Sequence, residues 1–257
     1  MTDGDEAEEW LTRLETLWRD YYAEHGPNMA YGEEESPADV LEVGLFAFGI
    51  MASIMRTVRA LSIMVDHGYT VESRAMFRSA IDQALALTAI ERTGVHGVHA
   101  FGIIHAYNLK QLLESSSSGF TLGDVNEQYI SKFLSLRDKL PTSDDLNRAQ
   151  NLIKTSTAGR SSGHFEALLY QIWLEATPLS KPSMRLADAY VQPERVGGGI
   201  RMDTFLDSDP DSVADPRVVL GIVLPAVMTV YGRVMRDDNL IVAVKALAEE
   251  WELARSG

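Results

Sequence analysis

Ser36-Pro37-Ala38-Asp39, leading through the apolar run Val43–Met55 and Arg56 to His67-Gly68, is the stretch that decides the fold. Ser36 can cap a helix, because its hydroxyl accepts from an amide of the first turn. Pro37 has its φ preset for that turn, and Asp39 meets the positive end of the helix dipole. Gly68 supplies a left-handed stop. Between these signals lie about thirty residues that are apolar on most faces, the pattern of a central helix in a bundle. The longest uncharged stretch, Val43–Met55, has thirteen residues. A membrane span needs roughly 20, so a buried core helix is expected and a membrane is not an expected partner.

The helical period continues on both sides. Upstream, a helix near Glu6 to Glu24 places Trp10, Leu14, Leu17 and Tyr21 on one face with Leu11 and Trp18 beside them, and Gly26-Pro27 ends it. Downstream, Thr70 is expected to cap a helix that Gly94 closes. Another spans roughly Val98 to Ser116, with Ser115 to Gly119 as a joint. Helices near Asp124–Leu140 and Asp144–Lys154 follow, the second capped by Ser143 after Pro141. Ser161 or Ser162 begins one that carries Leu168, Leu169, Ile172, Trp173 and Ala176.

The pattern breaks from Thr177 to Pro216, where five prolines, Gly197-Gly198-Gly199 and Asp207-Ser208-Asp209-Pro210-Asp211 occur. Val191 and Ile200–Met202 could form a short β-ribbon there. Asp215-Pro216 restarts a helix in which Pro225 is expected to make a kink. A last helix after Asp238 carries Leu240, Ile241, Val244, Leu247 and Trp251. The expectation is an all-α fold, an irregular bundle of eight or nine helices in a single domain, 1–257. Its parts are an N-terminal helix with an acidic loop (1–35), a helical core (36–176), an irregular insertion (177–216) and C-terminal helices (217–257).

With 46% hydrophobic residues in 257, the chain can fill a substantial core. The absence of cysteine excludes disulfides, thiolate zinc sites and cysteine nucleophiles. Met1-Thr2-Asp3-Gly4-Asp5-Glu6 has acids where a signal peptide carries bases, so a cytoplasmic location is expected. The net charge of −14 repels phosphate backbones at long range, which disfavours RNA or DNA coating but leaves room for a local basic site.

Within the segment after Gly68, Arg78 and Asp82 lie four residues apart in an otherwise apolar helix and face the same way. A fixed guanidinium steadied by a carboxylate can present a planar fork to an anion; the same two residues can equally form a structural ion pair between helices. The run Gly68-Tyr69, Glu72, Ala75, Arg78-Ser79 and Asp82 resembles an uncharacterised bacterial all-helical family, a domain of unknown function. Its motifs read G-Y-x-x-E/A, then L-x-R-S-x-x-E, and downstream Y-x-x-L-S-x-x-x-H-P-S. Tyr170, Trp173-Leu174, Thr177, Lys181, Pro182 and Ser183 match the downstream motif. Asp82 replaces the family's Glu, Thr177 its Ser and Lys181 its His. A lysine lacks the acid–base range of imidazole, so an imidazole-dependent activity would be lost or altered here. The resemblance implies that the second segment meets the first, with Arg78, Asp82, Thr177 and Lys181 lining a site.

Arg160-Ser161-Ser162-Gly163-His164 is similar to the R-x4–6-H signature of HEPN-type ribonucleases, with the spacing one residue short. That similarity implies a metal-independent ribonuclease in which His164 moves protons and Arg160 stabilises charge on the scissile phosphate. Arg92 to His96 is an equally short match. His96, His99 and His105, near Glu91, do not share one helix face, and no metal or other cofactor is expected. Asp207–Asp211 lacks the glycine and glutamate of a calcium loop at the required positions, which hold Ser212 and Val218. Three readings follow. One is a cytoplasmic binding module for a small anion or protein partner, placed by the resemblance in bacterial stress or defence; the others are a HEPN-like ribonuclease and a structural homo-oligomer formed through Trp10, Trp18, Tyr21 and Tyr22.

Overall fold

A computed structural model describes residues 3–26, 36–116, 141–154, 164–181, 191–196, 199–204 and 214–256. Among them are eight helices: α1 (Asp3–His25), α2 (Pro37–Asp66), α3 (Ser73–Thr93), α4 (Val95–Ser116), α5 (Ser143–Ile153), α6 (His164–Ser180), α7 (Pro216–Met235) and α8 (Asp238–Ser256). The fold is all-α, a helical bundle. Strands β1 (Val191–Val196) and β2 (Gly199–Thr204) pair antiparallel, with Val191 opposite Thr204 and Val196 opposite Gly199. The helix expected near Asp124–Leu140 and the cap at Ser161 or Ser162 lie outside the described residues.

The start of α2 follows its sequence signals. Ser36 Oγ accepts from Asp39 N, and Pro37 opens the first turn. Gly68, at φ 84°, ends the helix in a conformation that favours glycine. One stripe of α2 is buried, Val40, Val43, Ala47, Met51, Ile54, Val58 and Leu61, at spacings of three and four. The other faces are not enclosed: Leu41, Leu45 and Ile63 are exposed. The most enclosed helix is instead α7, packed against α1, α2, α3 and α8, with Leu220, Leu224, Met228 and Tyr231 fully buried. Both α2 and α7 are long and apolar enough to cross a membrane by length and composition. As folded, each turns a buried stripe into a shared core.

Three helix starts differ from expectation. The Thr70 side chain does not cap α3; its carbonyl accepts from Ser73 Oγ at 2.7 Å, and the helix begins at Ser73. Gly94, at φ 57°, closes α3 and lets α4 begin at once with Val95, three residues earlier than expected. α5 is capped by Thr142 and not Ser143. Thr142 Oγ1 accepts from Asp145 N while an Asp145 oxygen accepts from Thr142 N, a reciprocal pair that satisfies two otherwise free donors.

α6 also outlasts its expected end. It continues through Thr177 and Pro178 to Ser180, where the sequence suggested that the irregular insertion begins. The Thr177 hydroxyl donates to Trp173 O and the Ser180 hydroxyl to Thr177 O, so side chains bind carbonyls around the proline.

Pro225 sits inside α7, and the helix runs through it. A proline has no N–H, so the carbonyl four residues back loses its helical donor. That carbonyl is Gly221 O, and Trp10 Nε1 of α1 donates to it at 2.7 Å. Trp10 in turn stacks on Trp251 of α8, with centroids 5.2 Å apart. A single indole thus ties α1, α7 and α8 together.

Candidate functional site

α3 and α6 run antiparallel against each other. At one end Arg92 of α3 reaches Glu166 of α6, at 3.8 Å; at the other, Arg78 lies over the Trp173 ring, 4.9 Å from its centroid. The two motif segments are therefore neighbours. Trp173 Nε1 donates to Asp82 Oδ1 at 2.5 Å. No ion pair joins Arg78 to Asp82. The expected role of Asp82, orienting Arg78 directly, is corrected by this geometry: the carboxylate fixes the indole, and the indole face carries the guanidinium. Cation–π attraction to tryptophan is the strongest of its kind among the aromatic side chains.

Arg78 is half-buried, and its Nε is sealed from solvent with no hydrogen-bond partner among the described residues. Lys181, exposed at the end of α6, is close enough that its charge acts on Asp82. Burial raises the pKa of the Asp82 carboxyl; the Trp173 hydrogen bond, Arg78 and Lys181 each work to lower it. Partial desolvation of the carboxyl therefore outweighs three favourable contacts, although Asp82 as a whole stays exposed. Thr177 is one turn beyond Trp173, and its hydroxyl is spent on Trp173 O.

Beside this seam opens a cleft of about 560 Å³, lined by Asp82, Leu85 and Ala86 of α3, Phe101 of α4, Gln150, Ile153 and Lys154 of α5 and its end, and Tyr170 and Trp173 of α6. The Tyr170 and Trp173 rings are within 13° of parallel, their centroids 5.9 Å apart. The sequence places Tyr170 and Trp173 in the downstream motif but not among the site residues, and it does not single out Gln150 or Lys154. The spacing of Tyr170 and Trp173, three residues apart on one helix, was the available signal for a shared aromatic wall.

Arg160 lies outside the described residues, and His164 is exposed at the first position of α6. Arg92 is engaged by Leu152 O and Glu166. His99 pairs with Glu42 at 3.2 Å. The aromatic face of α1 is committed to the chain's own core: Trp10 and Trp18 are buried, and Trp18 packs against Tyr22, Phe48 and Tyr231. Those tryptophans are not exposed as an oligomer seam.

A second charged cluster escaped the sequence reading. Arg217, buried in the first turn of α7, is bonded through Nη2 and Nε to Asp215, through Nη1 to Asp66 at 2.6 Å, and more loosely to Glu8 at 3.5 Å. Desolvation pulls its pKa down, yet Asp215 and Asp66 overcome this and hold it above the ordinary value. Beside it Arg74, also buried, donates to Ala214 O. The carboxylates around Arg217 make this a structural clamp between α1, α2 and α7.

No protein-family model matches the chain, and no curated protein or solved structure matches it.

Proposed function

We propose that the protein is a helical binding module that holds a small anion at the seam of α3 and α6. Arg78 supplies the fork, Lys181 a second positive charge, and Asp82 acts through Trp173 to fix the guanidinium in place. The observation that carries this reading is Arg78 itself. A half-buried cation with an unpartnered Nε and no ion pair among the described residues is costly unless something anionic meets it. The Trp173 face returns only part of that cost. The motif resemblance is the ground for placing this role in bacterial stress or defence.

Thermal shift and calorimetry with sodium phosphate and sodium sulfate, at constant ionic strength set by chloride, test it. Phosphate is expected to raise the Tm of the wild type and to leave that of Arg78→Gln unmoved, with Lys181→Gln between them. An equal shift in wild type and Arg78→Gln, or none in either, removes the anion site. A labelled RNA incubated with the same proteins distinguishes binding from cleavage: intact RNA is the expected result.

A further inference from the structure

We infer that the ligand of this seam is a nucleoside monophosphate, its phosphate at Arg78 and Lys181 and its flat base in the neighbouring cleft. This rests on the anion reading above and adds the other half of the molecule. Three observations point to a ring. The cleft continues directly from the anion seam, since Asp82 and Trp173 belong to both. It is walled by rings from two helices: Tyr170 and Trp173 on α6, nearly parallel, and Phe101 on α4, itself stacked on Phe46 at 5.3 Å. Its volume, about 560 Å³, falls in the range of sites that take small ligands.

The polar groups agree with a base. Gln150 contributes an amide, both donor and acceptor, to the lining of the cleft. An amide matches the alternating donors and acceptors of a base edge, while an aliphatic ligand would leave it unpaired. Lys154 lines the cleft from the end of α5. Among the described residues of the seam and cleft, Lys154, Arg78 and Lys181 set three positive charges against one carboxylate, Asp82, in a chain whose net charge is −14. The local excess of positive charge against that background favours an anion, and the aromatic wall favours one that carries a ring. A long nucleic acid, repelled by the rest of the surface, is disfavoured.

Calorimetric titration of the full chain with adenosine monophosphate, adenosine and inorganic phosphate tests this. The monophosphate should bind at least about fivefold more tightly than phosphate, because one stacked base adds a factor of roughly five or more. Phe101→Leu and Gln150→Ala should weaken monophosphate binding about fivefold or more and leave the phosphate affinity unchanged. Arg78→Gln should weaken both. Adenosine monophosphate should also quench Trp173 fluorescence, a change that phosphate does not cause and that Trp173→Phe abolishes. If the monophosphate binds no better than phosphate, or if the two cleft variants weaken both ligands equally, the base site is wrong and the anion site stands. If neither ligand binds the wild type, both readings fall together.

Discussion

Trp10 Nε1 donates to Gly221 O, the carbonyl whose own helical donor would have been the amide of residue 225, a proline. The bond is buried, so losing it leaves a carbonyl with neither water nor protein. Trp10→Phe is expected to cost about 1–3 kcal/mol, the price of an unsatisfied buried polar group, besides any packing loss. In a Pro225→Ala background the new amide can serve Gly221 O, and the same Trp10→Phe change should then cost less. Urea denaturation of the four proteins measures the difference. Equal costs in the two backgrounds would show that the indole N–H is incidental.

Gly232 is where α7 meets α8. A Cβ there would stand 2.6 Å from Ile241 Cγ1, well inside van der Waals contact. Gly232→Ala should therefore destabilise the protein by about 1–3 kcal/mol, although alanine is the better helix former. Ile241→Ala removes the obstructing atoms at its own cost. The double variant should be more stable than the sum of the two single losses implies, and strict additivity in thermal or chemical denaturation would contradict the contact.

Local punctuation was the part of the fold most legible in the sequence. Ser36-Pro37, Gly68, Gly94 and Asp215-Pro216 mark helix ends by backbone chemistry that no packing partner alters. Thr142 and Ser143 are adjacent potential caps, and only the reciprocal bond with Asp145 selects the first. Pro178 reads as a helix end, but hydroxyls at 177 and 180 bind carbonyls locally and the helix persists. The candidate site was legible in its members and not in its connections. Arg78 and Asp82 on α3 stood out by charge. That a tryptophan from α6 would come between them is a tertiary fact with no signature inside either segment. Arg217 was hidden for the same reason, since Asp66 and Glu8 lie far from it in sequence.

The Arg217 clamp is open to a graded test. Removing the guanidinium leaves Asp215, mostly buried, facing Asp66 with nothing between them. Arg217→Met should cost about 3 kcal/mol, as broken buried pairs do. Arg217→Lys keeps the charge but cannot bind Asp215 through two nitrogens and still reach Asp66, so it should fall between. A lysine variant no better than methionine would mean that charge is irrelevant and only the fork geometry matters. A methionine variant as stable as wild type would mean that the clamp contributes nothing net.

The Asp82 carboxyl has its pKa raised, first by burial, against the lowering effects of Trp173, Arg78 and Lys181. A raised folded value means that the folded protein favours the protonated acid more than the unfolded chain does. The resulting stabilisation is present below the unfolded value of about 3.9 and is lost as pH rises through the higher folded value. At pH 7 the ionised side chain is therefore a burden on folding. Asp82→Asn keeps an oxygen to accept from Trp173 Nε1 and removes the charge. Its Tm at pH 7 should equal or exceed that of wild type, and the difference should shrink as pH approaches 3. Phosphate should bind the variant more tightly, since a carboxylate no longer faces the anion. Asp82→Ala, by contrast, frees the indole and should lose affinity. A drop in Tm for Asp82→Asn at pH 7, with wild-type stability regained at pH 3, would reverse the sign and show that the ionised carboxylate holds the seam together.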